Sequence, residues 1–242
     1  MPSWRKGLEK AIVSMLDRGS KLQGPAVAAY VDRTRRGHPG ESPAEIVARL
    51  EKLYLTAVTG SGGAVGATAA VPGIGTVAAL SASGAETLFF LEASALFTLA
   101  VAEVHGVAPR DHERRRALVL AVVLGEGGKE IVERTVGRKA TNWGTLLVYR
   151  VPKLKEMNES LLGRFALRFV IERSALVVGK VIPAGIGAAI GAGGNRLLGK
   201  GVISNAKDAF GPPPQHWPVI DAEVIAIHPE HTNQDAPPGG GA

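Results

Sequence analysis

Four side chains in one segment could do chemistry: Glu86, Glu92, Glu103 and His105. Carboxylates beside an imidazole are the residue types of a general acid/base pair or a divalent-metal site. Their spacing argues against both. Glu92 and Glu103 are 11 residues apart, three helical turns, so they share a face but stand roughly 16 Å apart along the axis. Glu103 and His105 fall on different helical faces, and a chelate there requires a helix end, which Gly106 could supply. The competing reading is that the three glutamates satisfy arginines of neighbouring helices, with Arg164 and Arg168 the candidates. Cysteine is absent, which excludes thiol chemistry and disulfides. Gly60-Ser61-Gly62-Gly63 lacks the lysine of a phosphate loop and follows no strand pattern. Gly185-x-Gly187-x-x-x-Gly191 misses the dinucleotide spacing. No catalytic residue, metal, cofactor or nucleotide is assigned.

The glutamates and His105 ride on an unusual pair of elements. Ser42-Pro43-Ala44-Glu45 combines a serine cap, proline at the first helical position and the glutamate of a capping box. The helix it starts places Ile46, Val47, Leu50, Leu53 and Tyr54 on one side. It runs without a break into Thr56–Ala85, a stretch with no charged residue built almost wholly of Gly, Ala, Ser, Thr and Val. Gly62, Gly66 and Ala70 recur at every fourth position, a flat groove that lets another backbone approach closely. Pro72-Gly73-Ile74-Gly75 must interrupt the helix. A second helix from Thr76 to about Val104 then completes a hairpin over Ser42–Gly106. The arms hold 16 and 12 uncharged residues, against about 20 apolar residues for a spanning helix. A shallow re-entrant hairpin and a hairpin buried in a helical bundle both fit.

A second seam follows late in the chain, where Gly179, Pro183, Gly187, Gly191, Asn195 and Gly199 keep strict four-residue spacing and Asn195 is a cap or an interhelical donor. Around these seams the pattern predicts further helices. Arg33–Pro43 reads as a loop, and Arg110–Arg116 as a charged link before a short apolar helix, Ala117–Leu124, closed by Gly125–Gly128. Lys129–Lys139 reads as amphipathic, Trp143–Val151 as an apolar run of either type, Glu156–Val178 as a helix, and Val202–Phe210 as a last short helix.

Charge is uneven along the chain. All 28 lysines and arginines lie before position 211, whereas the last 32 residues carry four acids and neither. Arg5, Lys6 and Lys10 flank an N-terminal amphipathic helix, and with Arg114, Arg115 and Arg116 they are candidate contacts for an anionic surface. With 5% aromatic residues and no recognition-helix pattern, nucleic acid is not an expected partner. The N-terminus lacks the apolar core of a signal peptide, and a cytoplasmic location is expected.

Taken together the chain resembles the EcsC family, bacterial proteins named after the third gene of an operon encoding an ABC transporter. The likeness rests on Gly62-Gly63-Ala64 leading to Pro72-Gly73-Ile74-Gly75, on Gly84-Ala85-Glu86, and on Glu103-Val104-His105-Gly106. It continues through Val181–Gly187 to Asn195 and in Ala206–Pro213, covering about Pro43 to Pro214. The chain departs from the family at Ala184, where an aromatic is expected, and at Glu86, where aspartate is common. The resemblance implies a helical architecture and a membrane link, and brings no catalytic residues.

The expected fold is all-α, a multi-helix bundle with two glycine-rich, proline-broken hairpins packed closely at its centre. Residues 1–41 form a basic N-terminal helix and loop, 42–214 the helical domain, and 215–242 an acidic Pro/Gly-rich tail. The leading expectation is a non-enzymatic, membrane-associated protein on the cytoplasmic side, engaging lipid or a membrane protein. A soluble bundle binding an apolar ligand or protein partner is the alternative, and an enzyme using the Glu/His region the third.

Overall fold

A computed structural model of the chain describes residues 25–68, 75–109, 111–137, 141–151, 154–155, 157–164 and 186–218. Every regular element among the described residues is helical. In chain order they are α1 (25–37), α2 (Pro43–Thr68), α3 (Gly75–Val104), α4 (His112–Leu124), α5 (Glu126–Val136), α6 (Trp143–Arg150), α7 (157–164) and α8 (Ile186–Phe210). The breaks at Pro72-Gly73 and Pro183 lie outside the described residues, as do Arg5, Lys6, Lys10 and Arg168.

The capping box forms as expected. Ser42 donates its backbone N–H to Glu45 Oε2 at 2.7 Å, and Ser42 Oγ accepts from the Glu45 N–H at 3.4 Å. Upstream, the loop is shorter than its composition suggests, because residues 33–37 continue α1. The Arg36–Asp32 pair at 2.7 Å and the Thr34 hydroxyl bonded to Tyr30 O hold the last turns. His38 closes the end by donating from Nδ1 to Thr34 O at 3.0 Å.

α2 is the central strut, with α3 and α8 both antiparallel to it. Along α8, Lys207 pairs with Glu51 at 3.0 Å, Gly199 meets Val58, and Gly63 faces Ala192. On the other side Tyr54 stacks on Phe97 with ring centroids 4.7 Å apart. The buried side of α2 carries Ile46, Leu50, Tyr54 and Val58, spaced by four, with Val47 beside Ile46. Leu53, expected on that face, is 55% exposed, because one position before Tyr54 points about 100° away.

The remaining helices pack around the Glu103 end of α3. Val27 and Val31 of α1 join the core, as do Met157 and Leu161 of α7. α4 begins at His112, earlier than expected, because Asp111 caps it by accepting from the Arg114 N–H at 2.8 Å. Only the first glycine of Gly125–Gly128 closes α4; the other three residues belong to α5. Gly125 takes φ +62°, and a Cβ on Gly128 would lie 2.2 Å from Ala121 O, so the tight α4–α5 corner excludes side chains at both positions. The Trp143–Val151 run resolves as helix α6, and Val202–Phe210 is the end of the 25-residue α8, not a separate helix. Beyond Phe210 the chain turns back: Trp217 Nε1 donates to Glu41 O, and the Arg35 guanidinium lies 4.6 Å from the Trp217 ring centre.

Candidate functional site

Where α2, α3 and α8 meet, the apolar packing is interrupted by a buried polar layer. Asn195 Nδ2 donates to Glu86 Oε1 at 2.8 Å and to Val58 O at 3.0 Å, and both polar residues are only 6% exposed. A carboxylate removed from water needs such donors. A neighbouring link runs from Tyr54 to Ser94: the Ser94 hydroxyl donates to Phe90 O at 2.7 Å, so the Tyr54 O–H donates to Ser94 Oγ at 2.8 Å. Burial pushes the Tyr54 phenol above its ordinary range, an effect the Ser94 bond partly offsets.

The layer is accessible to three helices because the α2–α8 seam is thin. A Cβ on Gly199 would stand 2.9 Å from Val58 Cγ2 and 3.2 Å from Leu55 Cδ1. Gly62 is buried, and one on Gly63 would make ordinary contact with Ala192 at 3.6 Å. At Gly199 the absence of a side chain therefore permits close helix approach. Gly66 lies in α2, Gly75 in α3, and Gly187 and Gly191 in α8.

Past this layer α2, α3 and α8 each run on for several turns. The outer parts of α2 (59–68), α3 (75–85) and α8 (186–195) are all helical and contain no charged residue. Each extends roughly 13–17 Å past the layer. Gly60, Gly193 and Gly194 have nothing within 4 Å of where a Cβ would sit.

The structure separates the glutamates and His105. Glu86 is buried in the layer, Glu92 is exposed, and Glu103 is half-buried. His105 lies 19 residues beyond Glu86, about 28 Å along α3. Its Nδ1 donates to Val101 O at 2.8 Å, and its ring packs 5.3 Å from Phe210. Desolvation raises the Glu103 carboxyl above its ordinary range. Of the two arginines expected beside these acids, Arg164 pairs with Glu130 at 2.8 Å, and Arg168 lies outside the described residues. Among the described residues, no group of three His, Cys, Asp or Glu side chains could hold a metal ion.

A cleft of about 440 Å³ opens on the other side of the body, between α2, the Val101–His105 end of α3, and the α8 end through Pro213. Its walls are mostly apolar, including Val47, Phe97, Val101, Ile203 and Pro212, with Glu51 and Lys207 also lining it. Its walls come from three separated segments, so no local pattern marks it.

Of the cations expected at an anionic surface, Arg114 and Arg115 are engaged at the start of α4. Arg114 pairs with Asp111 at 2.6 Å and Arg115 donates to Pro109 O at 3.2 Å; both are part-buried. Arg116 is part-buried beside them. No described helix is long and apolar enough to cross a membrane. No family model matches the chain, and neither does any curated protein or solved structure.

Proposed function

We propose that this is a non-enzymatic, membrane-associated protein on the cytoplasmic side that seats the outer ends of α2, α3 and α8 in one leaflet, engaging lipid or a membrane protein there. The observation that carries the reading is the loss of charge in all three helices beyond the Glu86–Asn195 layer. An uncharged projection roughly 15 Å long matches half of a hydrocarbon core about 30 Å thick. Exposed Leu53, Leu197 and Phe89 lie on the same three helices. The resemblance to the EcsC family, with its membrane link, supports the same conclusion. The polar layer then sits near the headgroup level, where its hydrogen bonds keep three thinly packed helices in register.

The absence of cysteine makes the test direct. A single cysteine at exposed Ala64, carrying an environment-sensitive dye, is compared with one at exposed Arg134 in the body. Adding phospholipid vesicles should blue-shift and brighten the dye at position 64 and leave position 134 unchanged. Water-like emission at both positions in the presence of vesicles would refute membrane seating. The 440 Å³ cleft would then favour the alternative, a soluble bundle with an apolar ligand.

A further inference from the structure

The seating reading leaves open which lipid is preferred, and the charges just inside the uncharged projection bear on it. Moving inward, the first charged residue of α8 is Arg196, followed one turn later by Lys200, and the first of α2 is Lys52. All three are exposed, and none makes an ion pair among the described residues. Several cations of the body are held by acids: Arg134 and Arg164 pair with Glu130, and Lys207 with Glu51. The antiparallel seam fixes the height of the three. Gly199 meets Tyr54, Leu55 and Val58, so Lys200 stands level with the middle of α2 and Arg196 one turn further out. Lys52 lies about 9 Å inward of Val58 along α2. Glu86 at this level is buried and bonded to Asn195, and Glu51 is paired with Lys207. Glu92 is the exposed acid on the neighbouring stretch of α3.

We infer that Arg196, Lys200 and Lys52 form a cationic collar that binds the phosphates of anionic phospholipid while the uncharged helix ends enter the leaflet. The inference rests on the membrane-seating reading and adds the lipid class. Exposed Leu197, between Arg196 and Lys200, is 72% accessible and gives the collar an apolar residue to set at the acyl boundary. A cation near an anionic membrane strengthens binding about fivefold. Arg196 and Lys200 together therefore contribute about twenty-five-fold, screened by salt.

The experiment uses the full chain with the dye at position 64 and two vesicle compositions, neutral phosphatidylcholine alone and phosphatidylcholine with about 30% phosphatidylglycerol, which supplies a negative surface potential. Dye emission reports insertion, and co-flotation reports binding. Arg196→Gln/Lys200→Gln is the variant; both sites are exposed helix positions where glutamine is well tolerated, and an unchanged thermal melt confirms folding. The expected result is preferential binding of the anionic vesicles, reduced about twenty-five-fold in the variant, with little change on the neutral ones. Equal binding of both compositions with the dye inserted would overturn the collar and leave the seating reading standing. An anionic preference unchanged in the variant would also overturn it, assigning the attraction to other cations. A dye that stays in water with both compositions would overturn both.

Discussion

The closeness of the α2–α8 seam can be measured with one pair of substitutions on one helix. Gly193 and Gly199 both lie in α8, and replacing helical glycine by alanine stabilises a helix by about 1 kcal/mol where space allows. At Gly193 nothing lies within 4 Å of the new methyl, so Gly193→Ala should gain that full amount. At Gly199 the methyl would come within 2.9 Å of Val58 Cγ2 and 3.2 Å of Leu55 Cδ1. Val58 is fully buried, so its methyl has nowhere to retreat without moving α2. Overpacking of this kind costs about 1–3 kcal/mol, which turns the propensity gain into a net loss of about 0–2 kcal/mol. The two variants should therefore differ by about 1–3 kcal/mol, a separation in Tm of roughly 5 °C for a chain of this size. Calorimetry on the two purified variants beside the parent gives the answer. A Gly199→Ala protein that melts at or above Gly193→Ala would refute the close seam.

Two further substitutions probe the buried polar groups. Asn195→Leu removes the Glu86 and Val58 bonds together and should cost roughly 2–4 kcal/mol by urea titration, because two hydrogen bonds are lost at a buried site and their acceptors stay behind. Glu103 has a raised folded-state value, so its ionisation favours the unfolded chain: the associated stability is complete below the unfolded pKa and declines as pH rises through the folded one. Glu103→Gln should accordingly raise Tm at pH 7 relative to the parent and lose that advantage near pH 4.

Local signals in the chain were read well where they had a local cause. The capping box at Ser42–Glu45 and the end of α3 at Gly106 both follow from hydrogen bonding or backbone freedom within a few residues. Misreadings came where two local signals competed. Residues 33–37 look like loop from their arginines and glycine, yet an i,i+4 ion pair and a hydroxyl bond extend α1 through them. The charged run at 112–116 likewise hides the first turn of α4, which Asp111 caps. The candidate site was legible in its members and not in its connections. Asn195 was recognisable as an interhelical donor, but its partner Glu86 is 109 residues away. An amide facing a carboxylate leaves no pattern of opposite charges to match, whereas Arg164, one of the two arginines expected near the glutamates, pairs with Glu130. The Tyr54–Ser94 link was missed for the same reason, since neither residue type stands out on an otherwise apolar helix.

The position of α2 between α3 and α8 also sets an order of assembly. The α2–α3 hairpin is local in sequence and can close as soon as both arms exist. Its other flank is sealed by contacts spanning 137 residues, from Val58 to Asn195, and 156 residues, from Glu51 to Lys207. During synthesis from the N-terminus, the glycine groove of α2 therefore has no cover until residues beyond 200 have left the ribosome. Over that interval a hairpin with an uncharged tip has one face open, and a chaperone or a nearby bilayer competes with α8 for it. α8, the last described helix, is the one that closes α2, and its docking is the slow, long-range step of folding.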